Sequence, residues 1–90
     1  MQTKIEKLNA ELYIQSTPHR FKKEQNSFDR GYLKVNFWMD ELCLESIARD
    51  RQIALEFDEK VEKLKRWMET IKESEYKEGM KQALKDAGYF

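Results

Sequence analysis

Apolar residues near the start of the chain fall at helical intervals and then stop. Ile5, Leu8 and Leu12 recur with Glu11 and Tyr13 on flanking faces, which predicts a short amphipathic helix from about Lys4 to Gln15. Ser16-Thr17-Pro18 follows. Proline disfavours helical backbone at the residue before it, so the helix is expected to end there. Asn26-Ser27 offers a new N-cap, with Asp29 in the first turn where the helix dipole favours a negative charge. Beyond it Phe28, Tyr32, Val35, Met39 and Leu42 step by fours and threes, and Leu33, Phe37, Trp38 and Leu44 widen the stripe past one face. A stripe that wide implies burial against more than one neighbour.

The clearest periodicity comes next. Ala54, Phe57, Val61, Leu64, Met68 and Ile71 follow a 3-4-3-4-3 spacing with Lys and Glu between them, a coiled-coil-like seam. Leu44 to Asp50 carries neither Gly nor Pro, and Ser46 there could cap a new helix. Residues 28–71 therefore read as one long rod or as two antiparallel helices. The hairpin is favoured because it buries both stripes within one chain. In the last segment, from about Ser74 to Ala87, Tyr76, Met80, Ala83, Leu84 and Ala87 share one side, and Gly88 suits a left-handed stop. Gly79 inside it costs about 1 kcal/mol relative to Ala, so this helix is expected to bend or fray. The pattern as a whole predicts one all-α domain over residues 1–90: a short N-terminal helix, a central antiparallel helical hairpin and a short C-terminal helix.

Size and charge add an expectation about assembly. A chain of 90 residues buries only about 60–65% of the surface its unfolded form exposes, so its core is thin. With 17 Lys+Arg against 17 Asp+Glu, no global field draws it to nucleic acid or to an anionic membrane. Any anion site must be local. A neutral, highly charged surface protects poorly against self-association, and an oligomer is expected. Cys43 is the sole cysteine and His19 the sole histidine, too few for an internal disulfide or a zinc site. That usage suits the cytoplasm. No apolar run approaches the roughly 20 residues of a membrane span, and the N-terminus has no leader-like apolar stretch.

Candidate chemistry is sparse. There is no nucleophile elbow, Gly-rich phosphate loop or metal-ligand cluster, and nothing in the spacing sets a nucleophile beside His19. A non-enzymatic protein without a cofactor is expected. Glu56, Asp58, Glu59 and Glu62, interleaved with Lys60, Lys63, Lys65 and Arg66, read as a solvated face. Trp38 and Trp67 are either stacking platforms or core and interface residues. The decapeptide from Ser16 to Gln25 differs in kind. Arg20 can fork onto a phosphate, Lys22 and Lys23 add point charge, and His19 or Phe21 can stack on a base, which together are the parts of a nucleotide pocket. Alternatively, Phe21 plugs the core and the cations neutralise nearby carboxylates.

His19-Arg20-Phe21, Lys34, and the run Arg51-Gln52-Ile53-Ala54-Leu55 also carry a family likeness. Over about residues 19–68 the chain resembles the helical-hairpin domain of phage anti-CBASS cyclic-oligonucleotide sponges, shared with a Thoeris-blocking sponge. The resemblance implies an all-helical homohexamer that sequesters cyclic dinucleotides between protomers, some members holding cyclic trinucleotides at a separate site, without catalysis. It assigns base stacking to His19, phosphate contact to Lys34 and a trinucleotide role to Arg51. The chain departs from the family in having His19 where a tyrosine is usual, and Glu56, Phe57 and Asp58 where polar and glycine positions are common. Base preference and the second site are left open by those differences.

The resulting expectation is a viral immune-evasion protein of the host cytoplasm that captures cyclic di- or trinucleotide second messengers, with His19, Arg20, Phe21, Lys22, Lys34 and Arg51 as its ligand-binding residues. The alternative is a small helical inhibitor or adaptor that docks on a host protein and takes no small molecule. Binding to a nucleic-acid polymer ranks third, given the zero net charge.

Overall fold

The computed structural model describes residues 4–48 and 53–89, which form four α-helices: α1 (Lys4–Arg20), α2 (Ser27–Ala48), α3 (Ile53–Glu69) and α4 (Glu75–Asp86). No strand occurs among the described residues.

Helix α1 runs past the expected stop and carries Pro18 inside its last turn. A proline this close to the C-terminus removes one N–H and leaves the rest of the turn intact. The hydroxyls of Ser16 and Thr17 both donate to the Tyr13 carbonyl, at 2.8 and 3.1 Å, and the Phe21 N–H closes the last turn on the Thr17 carbonyl at 3.3 Å. The connection to α2 is therefore only residues 21–26.

Helix α2 begins on a reciprocal cap. The Asp29 N–H donates to Asn26 Oδ1 at 2.9 Å, and the Asn26 N–H donates to Asp29 Oδ2 at 3.3 Å, so two of the orphan donors of a helix start are satisfied. At its other end α2 continues to Ala48 with Ser46 inside it, so Ser46 opens no new helix. The connection at 49–52 lies outside the described residues.

Helix α4 keeps the expected start and stop. Ser74 accepts from the Lys77 N–H, and Gly88 adopts a φ of 86° while the Tyr89 N–H returns to the Leu84 carbonyl at 2.9 Å. The expected bend or fraying at Gly79 does not occur: α4 is unbroken from Glu75 to Asp86 and Gly79 is buried. The reason is tertiary. A Cβ at Gly79 would collide with the Phe28 carbonyl oxygen, and one at Gly31 with that of Tyr76. These two glycines let the backbones of α2 and α4 touch, and that packing offsets the helix-propensity cost.

Helix α2 is the centre of the molecule. It packs most closely on α4 and α1, while α3 stands further off and reaches the core through long side chains. Leu12, Tyr32, Val35, Met39, Cys43, Phe57, Val61, Met80 and Leu84 are almost wholly buried in one cluster. Buried polar groups are tied across helices: Asn36 donates to the Leu12 carbonyl at 2.9 Å, and the Tyr32 hydroxyl to Asp86 Oδ2 at 2.6 Å.

Candidate functional site

The residues expected to bind a ligand separate into two places. Where α1 ends and α2 begins, His19 and Lys22 converge on Asp29. His19 Nδ1 lies 2.7 Å from Asp29 Oδ1, and Lys22 Nζ donates to both carboxylate oxygens at 3.0 Å. The Asp29 side chain is fully buried. Its carboxyl is held below the ordinary 3.8, first by the bond to His19 and then by Lys22 and the Asn26 N–H, against the opposing effect of burial. The His19 ring stacks on Tyr32, centroids 3.9 Å apart and tilted by 25°. Both faces of the chemistry proposed for this loop are thus engaged within the chain: His19 holds a protein ring, and Lys22 neutralises a carboxylate.

Phe21 is 75% exposed, so it does not plug the core. Lys23 is exposed as well. Arg20 folds back over the Tyr13 ring, 4.4 Å from its centroid, and also approaches Phe21. Arg51 lies outside the described residues.

Lys34 belongs to the second place. Asp29, Tyr32 and Asn36 face α1, whereas Lys34 projects from another face of α2 into a groove shared with α3 and α4. Val35 and Met80 form its floor, Trp38 and Leu64 its sides, and Lys34, Lys60, Lys63 and Trp67 its rim, enclosing a volume of about 360 Å³. Its origin is the uneven packing of α2. Glycine contacts draw α4 tightly in, while α3 stands off and leaves a trough between its Leu64–Trp67 face and α2. Trp67 remains 53% exposed along that trough. Lys60 Nζ lies 3.7 Å from Glu45; among the described residues no carboxylate pairs with Lys34 or Lys63.

The groove is an apolar slot rimmed by three ammonium groups and walled by two indoles. That set can hold a flat ring against Trp67 and a phosphate against the lysines. The alternation of charges along α3 reads Lys60 and Lys63 as solvated surface. The signal was present in the spacing, since positions 60, 63, 64 and 67 share one face of α3. Among the described residues no group of three His, Cys, Asp or Glu side chains could hold a metal ion. Cys43 is buried, and desolvation, with a contribution from Asp40, pushes its thiol up to about 12, so it is no nucleophile at neutral pH. No helix among the described residues is long and apolar enough to cross a membrane. Comparison with known proteins finds no matching protein family, curated protein or solved structure.

Proposed function

We propose that the protein is a non-catalytic binder of phosphorylated aromatic ligands, above all cyclic di- or trinucleotide messengers, and that it acts by sequestering them as a phage immune-evasion sponge does. The observation that carries this reading is the groove in which Lys34 meets Lys60, Lys63, Trp38 and Trp67 over an apolar floor. Its volume of about 360 Å³ lies at the small end of the range for ligand sites, about 300–1,000 Å³, and suits one nucleoside with its phosphate. Lys34 keeps the phosphate role that the resemblance implies. Stacking passes from His19, which is committed to Asp29 and Tyr32, to Trp67. The reading also takes α3 as antiparallel to α2, forming a hairpin with the groove along its open seam. Local charge suffices here, in keeping with the zero net charge of the chain.

The test uses the fact that the chain has two tryptophans and that both line the groove. Intrinsic fluorescence should change on titration with cyclic di- and trinucleotides, and calorimetry should give the same affinity. Lys34→Ala and Lys63→Ala should each weaken binding by about 1.5–3 kcal/mol, the range for hydrogen bonds to charged groups. Neither heat nor a fluorescence change with any member of the panel at micromolar protein would reject the reading. A helical adaptor that lays a partner's apolar face in the same slot is the second reading, supported by the buried Val35 and Met80 floor. It predicts a silent nucleotide panel.

A further inference from the structure

The rim of the Trp-lined groove is one-sided in its chemistry. Every polar side-chain atom lining it is a donor: the ammonium groups of Lys34, Lys60 and Lys63 and the indole N–H groups of Trp38 and Trp67. Val35, Leu64 and Met80 add no oxygen, and the carbonyls beneath them lie within α2, α3 and α4, where the helices' own hydrogen bonds engage them. The part of a ligand seated here must therefore present acceptors and negative charge, because a buried donor of its own would go unpaired.

The charge to be matched follows from the ion pairs. Lys60 is partly neutralised by Glu45, 3.7 Å away, whereas among the described residues Lys34 and Lys63 have no carboxylate partner. These two stand on opposite banks, Lys34 on α2 and Lys63 on α3, and α4 brings only Met80 to the lining. A phosphodiester offers them a single negative charge. A terminal phosphomonoester carries about −1.5 to −2 at neutral pH, with three strong acceptor oxygens, and so matches both ammonium groups with one phosphate. A cyclic dinucleotide has the same total charge, but divided between two phosphates set apart on its ring. A volume of about 360 Å³ seats one nucleoside with one of them.

We propose that the groove selects the phosphomonoester end of a nucleotide, with the base against Trp67 and the terminal phosphate held between Lys34 and Lys63, over phosphodiesters of the same nucleoside. This rests on the groove being a nucleotide site and states which part of the nucleotide it grips. Mononucleotides and linear oligonucleotides with a terminal phosphate share that end.

The test is tryptophan fluorescence and calorimetry on the full chain with two matched pairs: AMP against cyclic AMP, and linear pApA against cyclic di-AMP. The base is constant throughout, and AMP and pApA separate a free mononucleotide from the end of a longer chain. At neutral pH the phosphomonoester of each pair should bind at least about tenfold tighter, the scale of one added hydrogen bond to a charged group. Acidification from about pH 7.5 to about pH 5.5 should weaken AMP by up to about fourfold, because a phosphomonoester gains its second proton near a pKa of about 6, and should leave cyclic AMP unchanged. Lys63→Gln, at an exposed position, should bring the members of each pair close to equal affinity. Equal affinities within either pair in the wild type, a tighter cyclic member, or a preference that survives Lys63→Gln would overturn the proposal while leaving the groove a nucleotide site. Silence with all four ligands would overturn both readings.

Discussion

At the scale of single residues, Gly31 and Gly79 show a local rule overruled by a distant neighbour. Judged by propensity alone, Ala at position 79 would stabilise an exposed helix by about 1 kcal/mol. Here its Cβ would occupy the space of the Phe28 carbonyl oxygen, and the clash is with backbone rather than a side chain that can swing away. Overpacking of a tight contact costs about 1–3 kcal/mol even where side chains adjust. Gly79→Ala and Gly31→Ala should therefore each destabilise by about 3 kcal/mol, read as a lowered midpoint in urea denaturation with little change in slope. A gain in stability at either position would mean that α2 and α4 do not approach so closely. None of this was legible from the glycines themselves, because what they touch comes from another helix. The same holds for His19, whose partner Asp29 is brought to it by the α1–α2 turn.

At the scale of elements, the helices were legible where their signals are local and obscure where the backbone carries on past a breaker. Asn26, Asp29, Ser74 and Gly88 mark helix ends through bonds spanning a single turn, so the sequence pattern finds them. Pro18 misleads because it removes a single N–H, and the Phe21 N–H still closes a turn beyond it on the Thr17 carbonyl. The start of α2 separates two adjacent candidates for its cap. Asn26 exchanges bonds with Asp29, whereas Ser27 is already inside the helix. Asn26→Ala should cost about 1 kcal/mol, the usual loss of a helix cap, while Ser27→Ala should be nearly neutral. Thermal melts of the two variants decide this, and a larger loss at Ser27 would place the cap one residue later.

At the scale of the whole molecule, cohesion is uneven, and that unevenness makes the groove. α1, α2 and α4 form the close-packed part, held by the glycine contacts, by Asn36 on the Leu12 carbonyl and by Tyr32 on Asp86. α3 is amphipathic and attached through Phe57, Val61 and Met68, with Tyr89 packed against Phe57, ring centroids 5.7 Å apart. Sequence periodicity revealed that α3 has an apolar seam but not how far it stands from α2, because the spacing between helices is a property of the packed molecule. Elements with fewer close contacts open at lower free energy than the rest. Cys43 reports on this directly, since it is fully buried in the cluster that includes Phe57. Its thiol reacts only when uncovered and ionised. Labelling with an aromatic disulfide under native conditions should then give an opening free energy below that of global unfolding, with a shallower dependence on urea, because lifting α3 exposes less surface than unfolding the chain. If labelling and global unfolding instead share one free energy and one slope, α3 leaves only when everything does, and the groove is as rigid as the core. A ligand that bridges Lys34 on α2 to Lys63 and Trp67 on α3 should slow the labelling in proportion to its saturation of the site, since it binds the closed form alone.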